Sequence, residues 1–78
     1  MFQRGQIVLA KAGKEKGCFM VVLKAEERYV LLADGNHRSL LSPKLKNTVH
    51  VQKTNRVLKE EQLATDKKIR AALKEYAD

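Results

Sequence analysis

Gly5-Gln6-Ile7-Val8-Leu9-Ala10-Lys11-Ala12-Gly13-Lys14-Glu15-Lys16-Gly17 runs on into Cys18-Phe19-Met20-Val21-Val22-Leu23-Lys24-Ala25. Two apolar, partly β-branched runs flank a short basic segment framed by glycines, which is the pattern of two strands joined by a tight loop. The runs lack polar alternation, so which face points inward stays open. A helix packed on the outside of the sheet is one explanation.

Three further strands are expected. Tyr29-Val30-Leu31-Leu32-Ala33 stops at Asp34-Gly35-Asn36, whose residue types suit a turn. Arg38-Ser39-Leu40-Leu41-Ser42 reads as the fourth strand, ended by Pro43, and Thr48-Val49-His50-Val51 as a short fifth. Five short strands in roughly 50 residues are too few for a sandwich, and a closed or nearly closed barrel disposes of their edges. After Asn55 the pattern turns helical: Leu58, Ile69, Ala72, Leu73 and Tyr76 share one stripe. Thr65-Asp66 looks like an N-cap followed by a first-turn acid, which suggests two helices meeting at Thr65. The expected organisation is mainly β, a barrel over 1–53, then a C-terminal α-helical segment over 54–78, packed on the barrel or free for a partner.

Charge separates these two parts. The 78 residues carry 16 Lys+Arg against 9 Asp+Glu, a net +7. All of that excess lies in residues 1–57, with eleven basic groups and four acids, whereas residues 58–78 carry five of each. A polyanion should therefore touch the first three quarters of the chain, and nucleic acid is the first candidate. The alternative is charge kept for solubility.

Catalysis has little support. A chain this short leaves scant wall for a substrate cleft. Ser39 and Ser42 have no identifiable base, and the neighbouring pairs Glu26-Glu27 and Glu60-Glu61 diverge. His37 and His50, with the single cysteine Cys18, lack the spacing of a zinc site, so neither metal nor cofactor is expected. Cys18 reads as a buried, inert thiol in a reducing compartment. The longest apolar run, Cys18 to Leu23, is far too short to span a bilayer, and no secretory signal is evident. The expectation is a cytoplasmic protein with no membrane contact.

The loop Gly13-Lys14-Glu15-Lys16-Gly17 is the strongest candidate for binding. Glycines let backbone approach a phosphate closely while the lysines neutralise it. The segment is too short for the phosphate loop of nucleotide hydrolases. Acidic Glu15 would repel a phosphate unless it turned away. On spacing alone, RNA contact and a solvated hairpin loop are equally tenable.

The span Gly5 to Gly17 followed by Met20-Val21-Val22-Leu23 resembles a KOW motif, a signature of RNA and protein binding in ribosomal proteins and transcription elongation factors. Tyr29-Val30-Leu31-Leu32-Ala33-Asp34-Gly35, then Arg38, then Pro43-Lys44-Leu45-Lys46-Asn47-Thr48-Val49-His50-Val51, resembles the KOW ribosomal proteins of the archaeal and eukaryotic large subunit, which have small bacterial relatives. The likeness covers about residues 4 to 52 and implies an SH3-like barrel. It also implies RNA contact through Gly13, Lys14, Lys16 and Gly17, and less directly through Arg38, Lys44 and Lys46. Cys18-Phe19-Met20 departs from the small or charged residues and second glycine of many such hairpins.

Aromatic rings are few, so structured RNA, read through backbone and shape, suits the chain better than splayed single strands. If about five of Lys14, Lys16, Arg38, Lys44, Lys46 and Lys53 contact phosphates, log K should fall against log salt with a slope of roughly −3.5 to −4.5. The function expected is non-catalytic binding of structured, ribosomal RNA within the translation apparatus, with ribosomal proteins as neighbours. The rival is a protein-interaction module that docks on a transcription or ribosome-assembly factor through the barrel or tail helix. A monomer is favoured over a homodimer formed through Leu58, Ile69, Leu73 and Tyr76.

Overall fold

In the computed structural model, which describes all 78 residues, five strands form one antiparallel sheet. They are β1 (Gln6–Ala10), β2 (Phe19–Ala25), β3 (Tyr29–Ala33), β4 (Lys44–Asn47) and β5 (Val51–Val57). The order is β4-β3-β2-β1-β5: four strands meander, and the last returns to pair with the first. A 3-10 turn at Glu60–Leu63 precedes the single helix α1 (Asp66–Ala77).

Register explains the apolar runs. Ile7 faces Val21, and Val21 faces Ala33, a row that packs with Leu58, Leu63, Ile69 and Leu73 under the helix. One residue along, on the opposite face, Val8, Met20, Val22, Val30, Leu32 and Val51 form a second core with Ala10, flanked by Phe2. Both faces are covered, so neither needs polar alternation. Ile69 and Leu73 are both buried, and each favours helix docking by about 1.5–3 kcal/mol.

The two marginal strands β4 and β5 are joined only by the 3-10 turn Thr48–His50. Four Cα steps reach at most about 14 Å, while a flat five-stranded sheet would hold its margins about 19 Å apart. The sheet must curl, and the second core fills the curl. It does not close into the expected barrel, because no ladder joins β4 to β5. The turn satisfies its own backbone instead: Asn47 Oδ1 accepts from Val49 N at 3.0 Å, and Val51 N donates to Thr48 O.

Two strand expectations are corrected. Arg38–Ser42 is a turn, and the fourth strand begins after Pro43 instead of ending at it. The backbone donors of the turn are committed elsewhere. Asp34 Oδ1 accepts from Asn36 N at 2.8 Å and Arg38 N at 2.9 Å, and Asp66 Oδ1 accepts from Leu40 N at 2.8 Å. Pro43 offers no donor, which suits the position just before a ladder. Similarly, Thr48–His50 is the 3-10 turn, and the fifth strand runs from Val51 to Val57.

The helix starts where its cap predicts: Thr65 Oγ1 accepts from Lys68 N at 3.1 Å, with Asp66 in the first turn. Leu58 and Leu63 precede it and still join its core. No helix is long and apolar enough to cross a membrane.

Candidate nucleic-acid interface

The loop between β1 and β2 is held by its own backbone. Gly13 and Gly17 both adopt positive φ, +80° and +87°. Lys16 N donates to Gly13 O at 3.2 Å, and Gly17 N donates to Ala10 O at 2.8 Å. Lys14 and Lys16 emerge exposed at this tip, while Glu15 turns inward and is only 8% exposed.

Glu15 is the centre of an ionic triad. Arg38 donates from Nε at 3.1 Å and from Nη2 at 2.9 Å to Oε2. Lys46 Nζ lies 3.4 Å from Oε1 and donates to Ala12 O at 2.8 Å. The hydrogen bonds from Arg38 hold the carboxyl of Glu15 below its ordinary value; burial opposes them, and Lys46 adds to the lowering. Lys46, itself 7% exposed, spans from β4 to the chain just past β1 and so ties the curled sheet at its mouth.

Arg38 is aimed by the helix. The turn that carries it is pinned by Asp66, through Leu40 N, and by Arg70 Nη1, which donates to Gly35 O. Gly35 permits this approach: its φ is +79°, and a Cβ there would fall 2.3 Å from Asp66 O. Packing of α1 therefore sets where the Arg38 guanidinium ends.

An open cleft of about 310 Å³ gathers Gly13, Lys14, Glu15, Arg38, Lys44 and Lys46. Five of the eight residues expected from sequence thus share one wall. Four cations stand there against one carboxylate, which already has two partners. Such a wall attracts an anion, and it presents no hydrophobic lining for an apolar ligand. Lys16 and Gly17 belong to the same loop, and Gly17 borders a hollow with Cys18, Phe19 and Arg70.

Lys53 is placed elsewhere. It lines a separate hollow with Gln52, Thr54, Asn55, Arg56 and Tyr76, and its Nζ stands 5.8 Å from the centroid of the Phe2 ring. Cys18 is exposed, contrary to the expected buried thiol, because it precedes β2 and lines a hollow with Lys14, Asp34, His37 and Arg38. Sequence reasoning missed the organising part of Glu15. The only signal was an acid at the centre of a basic loop, and its partners lie far along the chain. No protein-family model and no curated protein sequence matches the chain.

Proposed function

We propose that the chain is a non-catalytic RNA-binding protein of the translation apparatus. In this reading the curled sheet is an SH3-like fold of the KOW type, and structured RNA, ribosomal RNA first, lies against the β1–β2 loop and the cleft beside β4. The observation that supports it is the gathering of Lys14, Arg38, Lys44 and Lys46 about one cleft whose single acid is already paired. Phosphate contacts hold the RNA in register without reading its sequence. Arg38 and Lys46 are engaged by Glu15, so Lys14, Lys16 and Lys44 carry the main contact. About three phosphate contacts correspond to a salt slope of roughly −2 to −3, shallower than the sequence estimate.

The test is binding to a ribosomal RNA hairpin across a salt series. Lys14→Glu with Lys16→Glu should weaken affinity by tenfold or more while the melting temperature holds, and Lys44→Ala should reduce the slope by about 0.7–0.9. Unchanged affinity in both would move the contact elsewhere.

A second reading rests on a different surface. Leu45 is 60% exposed on the marginal strand β4, opposite Leu31 and diagonal to the exposed Tyr29. An unpaired, apolar margin suits a protein partner such as a transcription or ribosome-assembly factor. Cosedimentation with ribosomal subunits separates the two, since RNA-held protein is released by salt and protein held through Leu45 is retained.

A further inference from the structure

The second hollow is built on the other margin of the sheet. Its lining is Gln52, Lys53, Thr54, Asn55 and Arg56 of β5 with Tyr76 of α1, around about 500 Å³. The register Leu9↔Gln52 and Leu9↔Phe19 sets Gln52 on the face that carries Phe19. The Phe19 ring meets Tyr76 nearly perpendicularly, at 82° with centroids 5.1 Å apart. The helix buries Ile69 and Leu73 and brings Tyr76, 37% exposed, to the rim of this hollow.

The chemistry here differs from that of the loop cleft. No acid lines the hollow, and the ion pairs of the chain involve neither Lys53 nor Arg56. Thr54 is engaged internally, its Oγ1 donating to Ile7 O at 2.8 Å and its carbonyl accepting from Gln6 Nε2 at 3.0 Å. Gln52 and Asn55 are exposed and have no such partner, so both amides keep their donors and acceptors for a ligand. Lys53 faces Val8 and stands over the Phe2 ring on the other side of the sheet, so the cation left to the hollow is Arg56. One cation, two free amides and a fixed, partly open aromatic ring supply what unpaired nucleotides require: charge for the backbone, amides for base edges and a ring for stacking.

We infer that this hollow binds a short stretch of unpaired ribonucleotides that continues from the structured RNA held at the loop cleft. The inference rests on the RNA-binding reading above and extends it. The base of the β1–β2 loop adjoins β5 along the β1–β5 seam: Ala10 faces Val51, and Lys11 N donates to His50 O at 2.8 Å, one residue before Val51 and two before Gln52. A strand that leaves the cleft crosses that seam to reach Gln52 and Arg56.

The experiment compares a blunt RNA hairpin with the same hairpin extended by about six unpaired adenosines at its 5′ or its 3′ end, by fluorescence anisotropy with the full chain. One tailed hairpin should bind about tenfold tighter than the blunt one, from stacking and amide contacts. Gln52→Ala with Asn55→Ala, and separately Arg56→Gln, should erase that gain and leave blunt-hairpin affinity within about twofold. Lys14→Glu with Lys16→Glu should weaken both probes and keep their ratio. Ultraviolet crosslinking should attach the tail to the β5 peptide or to Tyr76. If the blunt hairpin binds but neither tail adds affinity, or the gain survives both sets of β5 variants, this inference falls and the loop reading stands. If the β5 variants weaken binding of the blunt hairpin and the loop variants do not, the loop reading falls. Failure of all three RNAs to bind overturns both. Tighter binding of polyglutamate than of the tail, lost in Arg56→Gln, would assign the hollow to an acidic protein segment.

Discussion

Glu15 and Arg38 stand 23 residues apart in the chain, yet two guanidinium nitrogens of Arg38, Nε and Nη2, donate to one carboxylate oxygen of Glu15 at 3.1 and 2.9 Å. The pair joins the β1–β2 loop to the turn before β4. With Lys46 on the other oxygen, it gives the cleft a fixed shape.

Replacing Glu15 by Gln leaves Lys46 buried without its counter-ion. Breaking a fully buried pair costs about 3–5 kcal/mol, and since Arg38 reaches solvent, about 1–3 kcal/mol is expected here. Glu15→Gln with Lys46→Met should recover part of the loss, because no unpaired buried charge remains. Urea unfolding of the parent and both variants checks this, and coincident midpoints for parent and Glu15→Gln would show the triad to be dispensable.

Acid should weaken the fold through the same carboxylate. Its folded-state value lies below the ordinary 4.5, so the unfolded chain takes up the proton first as pH falls. The stabilisation is complete above 4.5 and disappears as pH drops through the folded-state value. Glu60, lowered by its hydrogen bond with Arg4, acts in the same direction at the surface. Melting temperatures between about pH 6 and about pH 2 should show the gap between parent and Glu15→Gln narrowing with acidity. A constant gap would contradict the assignment.

Gly35 and Gly17 make a matched comparison. Alanine at either position incurs the cost of positive φ, about 1–2 kcal/mol. At Gly17 nothing lies within 4 Å of the added methyl, whereas at Gly35 it meets Asp66 O and Arg70. Gly35→Ala should therefore cost a further 1–3 kcal/mol or so from overpacking and displace the turn that bears Arg38. At about 4–8 °C per kcal/mol, thermal melts resolve the difference, and equal shifts would mean that the helix yields freely.

Truncation after Lys53 should unfold the chain. It removes Leu58, Leu63, Ile69 and Leu73 from one of the two cores, together with the strand segment whose Thr54 bonds Ile7 and Gln6. Four buried aliphatic side chains represent about 6–12 kcal/mol of burial, comparable with the whole stability of a small domain, about 5–15 kcal/mol. Circular dichroism and amide proton dispersion give the answer. A folded remnant would make the helix an accessory.

The first three strands and the Thr65 cap were legible in the sequence because their signals are local: glycine-bounded apolar runs, a turn at Asp34-Gly35, and a threonine ahead of an acid. The fourth strand was misread because Leu40-Leu41 imitates a strand, while the donor of Leu40 is taken by Asp66, 26 residues away. Leu41 itself is almost fully exposed. Most of β5 is polar on both sides and is defined by pairing with β1, which no local pattern reveals. The basic loop was readable as a candidate contact. What Arg38 and Lys46 hold was not, because Glu15 is buried only by the closed tertiary fold.

Pairing of β1 with β5 also sets an order of events at birth. Ile7 to Ala10 emerge first, and their second neighbour, Val51 to Val57, comes some forty residues later. At roughly 5–20 residues per second of synthesis, that interval lasts on the order of 2–10 s. During it this apolar strand of the nascent chain shows an open rim, flanked by Arg4 on one side and Lys11 on the other. Synthesis of Val57 ends the exposure, so the speed of translation and the risk of aggregation are linked in this chain.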